Sequence, residues 1–569
     1  MLPHVKGARV IAILVAVVLV AGGVIWKFAG SGGGGDGGGG GTTTAAPEGA
    51  LQVDFAYSPE KQALLEPLIA EYNAAKHEVG GKQVFVRGEV VSSGDSADRI
   101  QRGTLKPVLW SPSSSLWGRL LNFRADQPLV ADTNPSLVRT PLVIAMWEPL
   151  ARALGWPGKQ LGWADILREA RSAKGWAAYG HPEWGRFKFG HTNPDFSTAG
   201  LSAVAAEYLY AAGKTEGLTL ADVQSPKVRD TVQDIQRSVV HYGDTTLFFA
   251  DQMAQHGPSY VSAVAMEEVT VLDFNLNKAK NGVPRLAAIY PREGTFVSDN
   301  PLIVLQAPWV SAEQRQAAED VSAFLRERVT PQKAAALDFR PPDAAQKPAP
   351  PIQASNLVDP AQPTRLLSLP EPRVLNAITR AWRQDRKPAY VQVVLDISGS
   401  MNDEGKLEAA KQGLLRFLDM MQPQDRVGLT VFSDRVTVLS PPVPIGANRN
   451  ELKARVRNLL ADGGTAVYDA TLSAQQGIAR GARPDRISAV VVLTDGADNQ
   501  SRASLAGVVD QLKRASGSEG KGVRVFTIAY GSDAETGKLQ QIAQAGGGQN
   551  YSGDPRTIEK VYMQIASFF

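Results

Sequence analysis

Five oxygen-bearing side chains in three separate stretches could together hold a hard cation. Asp396, Ser398 and Ser400 alternate in the loop that follows the apolar run Val391-Gln392-Val393-Val394-Leu395. Gly463-Gly464-Thr465 puts a hydroxyl on a flexible turn. Val490-Val491-Val492-Leu493-Thr494-Asp495-Gly496 repeats the first design, an apolar run ending in a carboxylate. Carboxylate and hydroxyl oxygens suit Mg2+ and similar ions, which prefer oxygen ligands. A lone Asp-x-Ser-x-Ser is common in turns and helix caps. Its recurrence in order with a loop threonine and a second strand-end aspartate makes the metal reading the stronger one.

The elements that must position these groups follow from the hydrophobic pattern. Residues 391–396 read as a buried parallel strand, because apolar, β-branched residues run without alternation. Its polar tail then falls at the carboxyl end of the sheet, where open α/β folds bind ligands. From residue 388 onward strands are expected at 391–396, 427–433, 436–439, 488–494 and 523–530. Helices are expected at 405–421, 449–460, 467–480, 501–514, 535–545 and 556–568.

Asp396, Ser398, Ser400, Thr465 and Asp495 resemble, residue by residue, the metal-ion-dependent adhesion site of von Willebrand factor type A domains. The resemblance implies a doubly wound, Rossmann-like sheet with the 391–396 strand near its centre. It also implies a bound Mg2+ (or Mn2+ or Ca2+) with Ser398 and Ser400 as direct ligands. Thr465 would bind directly or through water, and Asp396 and Asp495 would ligate or hold metal-bound waters. An open coordination position would then take a carboxylate from a partner.

Residues 50–341 alternate strands and helices and are expected to form α/β structure with mainly parallel sheet. Strand candidates are 52–57, 82–91, 108–110, 142–146, 269–273 and 285–289; helix candidates are 60–76, 198–212, 226–239 and 312–326. Ser111 to Trp117, Pro141 to Met146, Gly190 to Leu201, and Tyr290 to Thr295 followed by Ser298-Asp299-Asn300-Pro301 resemble extracellular solute-binding proteins of ABC transporters, the branch with sulfate and molybdate binders. That resemblance implies two periplasmic-binding-protein-like lobes around a cleft. Ser58, Ser113, Ser114, Ser197 and Thr198 are the cleft candidates. Ser197 and Thr198 fall at a helix start, where free amides favour an anion, although such residues also serve simply as caps. Hydroxyls and amides suit an oxyanion, while Tyr57 and Trp110 equally suit an organic solute.

The amino terminus carries a different signal. Lys6 and Arg9 precede 17 uncharged, mostly apolar residues, 10–26. As a helix these span about 25 Å, enough to cross a bilayer, and the flanking positive charge keeps the short end in the cytoplasm. We read residues 1–9 as cytoplasmic, 10–28 as an uncleaved transmembrane anchor and 29–49 as a glycine- and threonine-rich tether. A cleaved signal peptide is the alternative. Residues 342–387 form a proline-rich linker ending in a short helix, with nine prolines between Arg340 and Pro372. Residues 388–569 form the last domain.

Composition excludes several functions. With 60 basic and 57 acidic residues, a net charge of +3 makes no case for nucleic acid. The chain has no cysteine, which excludes disulfides, thiol nucleophiles and cysteine-based zinc sites. Its six histidines lack zinc-motif spacing, and no phosphate-binding loop or nucleophile elbow is present. The expectation is a bacterial single-pass membrane protein, not an enzyme, whose extracytoplasmic body recognises an acidic group on a protein or cell-surface partner. Capture of a small solute for a transporter, with the last domain as docking module, is the alternative.

Overall fold

The computed structural model describes residues 46–516 and 522–569. The expected anchor and most of the tether lie outside these residues. Among the described residues no helix is long and apolar enough to cross a membrane.

Strands β1 (Leu51–Tyr57), β2 (Glu78–Val79), β3 (Lys82–Val90) and β4 (Leu109–Ser111) open the first lobe. Strands β5 (Thr140–Trp147), β6 (Phe189–His191), β7 (Ala263–Glu267), β8 (Leu286–Ile289) and β9 (Val297–Ser298) form the second, and β10 (Ile303–Val304) returns to the first. The first sheet has the order β10-β4-β1-β3-β2, with β1 parallel to both β3 and β4. The second has the order β6-β7-β5-β8. Its fully buried central strand β5 runs antiparallel to both β7 and β8, so this lobe is not the mainly parallel sheet expected. The chain enters β5 from the other lobe, so no strand–helix–strand crossover dictates its direction.

Residues 269–273, expected as a strand, lie in the helix Glu268–Asp273, and the strand is the preceding Ala263–Glu267. Both segments are buried on all sides, so neither shows a period, and Val269-Thr270-Val271 biased the reading toward strand. The helix Thr198–Ala212 lies where the pattern puts it.

In the last domain β11 (Ala389–Asp396), β12 (Arg426–Phe432), β13 (Val436–Pro444), β14 (Ile487–Thr494), β15 (Arg524–Tyr530) and β16 (Asn550–Gly553) make a sheet of order β13-β12-β11-β14-β15-β16. Strand β11 is parallel to both β12 and β14, in the middle of the sheet as expected. Strand β16 has no counterpart in the sequence reading: it is a four-residue edge strand, polar and flanked by glycine.

The proline-rich segment is not a free linker. Ile352, Val358, Leu367 and Trp382 are buried, and Leu367 N–H donates to Thr295 O at 2.9 Å. The helix Pro372–Asp385 packs Trp382 against His191 and Tyr242, and its indole donates to Gln236 at 3.2 Å. Phe568 closes the seam from the last domain, against Phe248 of the second lobe and Phe526 of its own sheet. Arg383 grips Asp195 with two hydrogen bonds of 2.8 and 2.7 Å. One apolar core therefore runs through both regions.

Glu207 sits fully buried beside this seam. Gln236 donates to one carboxyl oxygen at 2.9 Å, and the other has no partner among the described residues. Burial pushes its carboxyl up to about 8, only partly offset by Gln236. The folded state therefore holds this proton at pH values where an unfolded glutamate has lost it, so the stability it lends is present below about pH 4 and lost as pH rises toward 8. Glu207→Gln is expected to flatten that loss: denaturant midpoints from pH 5 to 8 should decline less than in the wild type, and parallel declines would contradict it.

Candidate functional site

The parallel register of β11 and β14 sets the site. Leu395 pairs with Leu493, so Asp396 stands level with Thr494, and Asp495 follows one residue beyond the end of β14, near enough for its charge to act on Asp396. Both carboxylates are fully buried. Asp396 Oδ1 accepts from the Ser398 N–H at 2.8 Å, and Oδ2 accepts from the Thr494 hydroxyl at 2.5 Å. Ser398 Oγ lies 3.1 Å from Ser400 Oγ, and Ser400 in turn donates to Asp495 Oδ1 at 2.8 Å.

Thr465 is brought in by its loop. Asn499 Oδ1 accepts from its N–H at 2.8 Å, and its carbonyl accepts from the N–H groups of Asn499 and Gln500. A methyl group placed on Gly496 would lie 3.6 Å from Thr465 Oγ1 and 3.9 Å from Ser400 Oγ, so both hydroxyls border one small space. Gly463 has a φ of +85°, and its carbonyl accepts from the Gly399 N–H at 2.9 Å. A side chain there would be strained and would meet Asp434 at 2.8 Å. The five residues singled out in the sequence thus surround one point at the carboxyl end of the sheet.

Burial pushes the Asp396 carboxyl up to about 6, and the charge of Asp495 adds to the rise against the hydrogen bonds from Thr494 and Ser398. A bound cation would relieve both effects. Among the described residues no group of three or more Asp, Glu or His is gathered to hold a metal. Two carboxylates and three hydroxyls instead give an all-oxygen set of low charge, which fits a hard divalent ion.

One charged residue at this point escaped the sequence reading. Lys406, the first residue of the helix Lys406–Met420, is buried and donates to Asp495 Oδ2 at 2.9 Å. Its backbone carbonyl accepts from the Tyr530 hydroxyl at 2.9 Å, which fixes the start of the helix. A lysine at a helix start gives no sequence signal, because that end of a helix favours acids.

The cleft candidates divide. Ser58, Ser113, Ser197 and Thr198 line a narrow cleft between the lobes together with Glu60 and Glu267. Ser114 does not; its hydroxyl accepts from the Leu116 N–H. Ser58 and Ser113 both donate to Glu60, at 2.5 and 2.7 Å, and Lys61 is buried beneath them against Ser58 and Asn300. Thr198 Oγ1 accepts from the Trp117 indole of the opposite lobe at 2.8 Å. The expected oxyanion is at odds with this lining: Glu60, Asp244 and Glu267 all border the cleft, against a single lysine already committed to Glu60 and its neighbours. The glutamates follow or precede strand ends, where the sequence reading weighed only hydroxyls.

The family model for the von Willebrand factor type A domain matches residues 391–562. This part of the chain is a von Willebrand factor type A domain. Over 567 residues the chain is 24% identical to an uncharacterized protein of Mycobacterium tuberculosis (strain ATCC 25618 / H37Rv), covering 95% of this chain and 79% of that one. It is 29% identical over 192 residues to human inter-alpha-trypsin inhibitor heavy chain H4, covering 32% of this chain and 20% of that one. Among solved structures, a periplasmic thiamin binding protein is similar to the first region (12% identity, TM-score 0.41, 60% of this chain and 97% of that one). BatB from Bacteroides thetaiotaomicron is similar to the type A domain (22% identity, TM-score 0.27, 32% of this chain and 98% of that one).

The pairing of Lys406 with Asp495 makes a prediction. Lys406→Met leaves a buried carboxylate without its counter-charge and is expected to cost about 3 kcal/mol in EDTA. Millimolar Mg2+ should restore most of that loss by replacing the missing charge. Thermal denaturation of the variant with EDTA and with Mg2+ measures both, and a loss that Mg2+ leaves untouched would contradict the arrangement.

Proposed function

We propose that the type A domain binds a divalent cation, Mg2+ by preference, and through it recognises a carboxylate on a protein or cell-surface partner. The observation that carries this reading is the convergence of Asp396, Ser398, Ser400, Thr465 and Asp495 on one point at the sheet's carboxyl end. A divalent ion there supplies positive charge that hydroxyl ligands neutralise poorly. Ser398 and Ser400 would ligate it, Asp396 and Asp495 would hold it from the buried side, and Thr465 would close the loop side. Lys406 keeps Asp495 neutralised and lowers the electrostatic pull of the site on cations. The role is binding and not catalysis. Residues 10–28 would hold the body at the outer face of the cell membrane, as their composition indicates.

Binding of the intact protein to its cell-surface partner should be lost in EDTA, recovered with Mg2+, and lost in Asp396→Ala at any Mg2+ concentration. Equal capture of partner under all three conditions would reject the reading.

A second reading is favoured by the cleft, which both lobes line and which Trp117 and Thr198 bridge. The first region would then capture a small solute, with the type A domain as the docking module for a transporter. The acidic lining suits a cation. A thermal-shift series should respond to small amines more than to sulfate or molybdate. A sulfate response above the amines would return the cleft to oxyanions.

A further inference from the structure

The packed proline-rich segment and the start of β5 line a half-open pocket of about 330 Å3, which shares no lining residue with either site above. Its floor is built on an antiparallel bridge between Arg139 and Arg340. Each backbone donates to the other, at 3.0 and 2.9 Å, so the two arginines lie directly opposite in the bridge.

Their charges are treated differently. Arg340 is buried and holds Glu268 with two hydrogen bonds of 2.7 and 2.6 Å, so its charge is answered. Arg139 is half-buried, and no side-chain hydrogen bond or ion pair reaches it among the described residues. Burial and the adjacent Arg340 both work against its charge. Asp299 and Asp343, the acids whose fields reach it, are engaged elsewhere, accepting from the N–H groups of Ser115 and Ala345.

The rest of the lining points the same way. Lys347 stands exposed at the cavity's edge, and no carboxylate lines it. Pro141, Val297, Pro360 and Leu366 give it apolar walls, with Leu366 56% exposed. Arg139 therefore faces a half-open pocket with its guanidinium donors untaken by any side chain among the described residues.

We propose that this cavity binds a small organic anion, a carboxylate carried on an apolar body. The planar fork of Arg139 takes the carboxylate through paired hydrogen bonds, Lys347 adds a second positive charge, and the proline walls take the apolar body. Arg139 then costs the empty protein stability and is kept for its ligand.

The test uses the full-length protein and three probes: benzoate, its neutral amide benzamide, and inorganic phosphate. Benzoate is expected to bind saturably by calorimetry and to raise the melting temperature; benzamide should do neither, and phosphate should bind more weakly than benzoate. Arg139→Gln should weaken benzoate by about tenfold or more, while its ligand-free melting temperature stays equal to or above the wild type because the repulsion from Arg340 is gone. Arg139→Lys should fall between them. Lys347→Gln, exposed and without contacts the fold needs, should weaken benzoate severalfold. The proposal is overturned by no saturable benzoate response, by an equal response to benzamide or phosphate, or by wild-type affinity in Arg139→Gln or Lys347→Gln.

Discussion

Two buried carboxylates held side by side are the constraint around which the type A domain is organised. Strands β11 and β14 run in register so that Asp396 is level with Thr494, and Asp495, one residue further on, brings its charge to bear on Asp396. Burial makes that proximity costly. The surrounding groups answer the cost one by one: Thr494 and the Ser398 amide on Asp396, Ser400 and Lys406 on Asp495. Every one of these is a donor, and each leaves room for a cation to take over part of its work.

The first region solves a related problem differently. Lys61 is buried in contact with Ser58, Asn300 and Glu60, so a lysine and a carboxyl group lie together at the base of the cleft. Desolvation lowers the lysine's pKa and Glu60 raises it, while the lysine and two serine hydroxyls hold the Glu60 carboxyl below its usual range. Serines that look in sequence like ligand-binding hydroxyls are here spent on an internal acid.

That contrast explains what the sequence could disclose. That Asp396, Ser398, Ser400 and Asp495 come together was legible because they follow two apolar strands that are easy to find, while Thr465 was legible only from its glycine-rich loop. Lys406 was not, because its partner is 89 positions away and nothing local marks the pairing. The helix Thr198–Ala212 was legible from a long apolar stretch behind a serine. The order of β7 and the helix after it was not, because Ala263 to Leu272 is buried throughout and a fully buried segment has no period to read. Strand direction in the second lobe was equally hidden, since it depends on which lobe the chain arrives from. In the proline-rich segment composition argues against regular structure and leaves the extent of packing open; Ile352, Val358 and Leu367 find apolar surface to cover.

The seam around Trp382 and Phe568 bears on mechanics. Because one core spans the lobes and the type A domain, a load at the rim around Asp396 and Asp495 meets packed apolar surface and not a free linker. The paired grips of Arg383 on Asp195 and Arg229 on Asp385 flank that core and would share the load. A load on that rim would therefore reach the interlobe cleft as strain in one packed body.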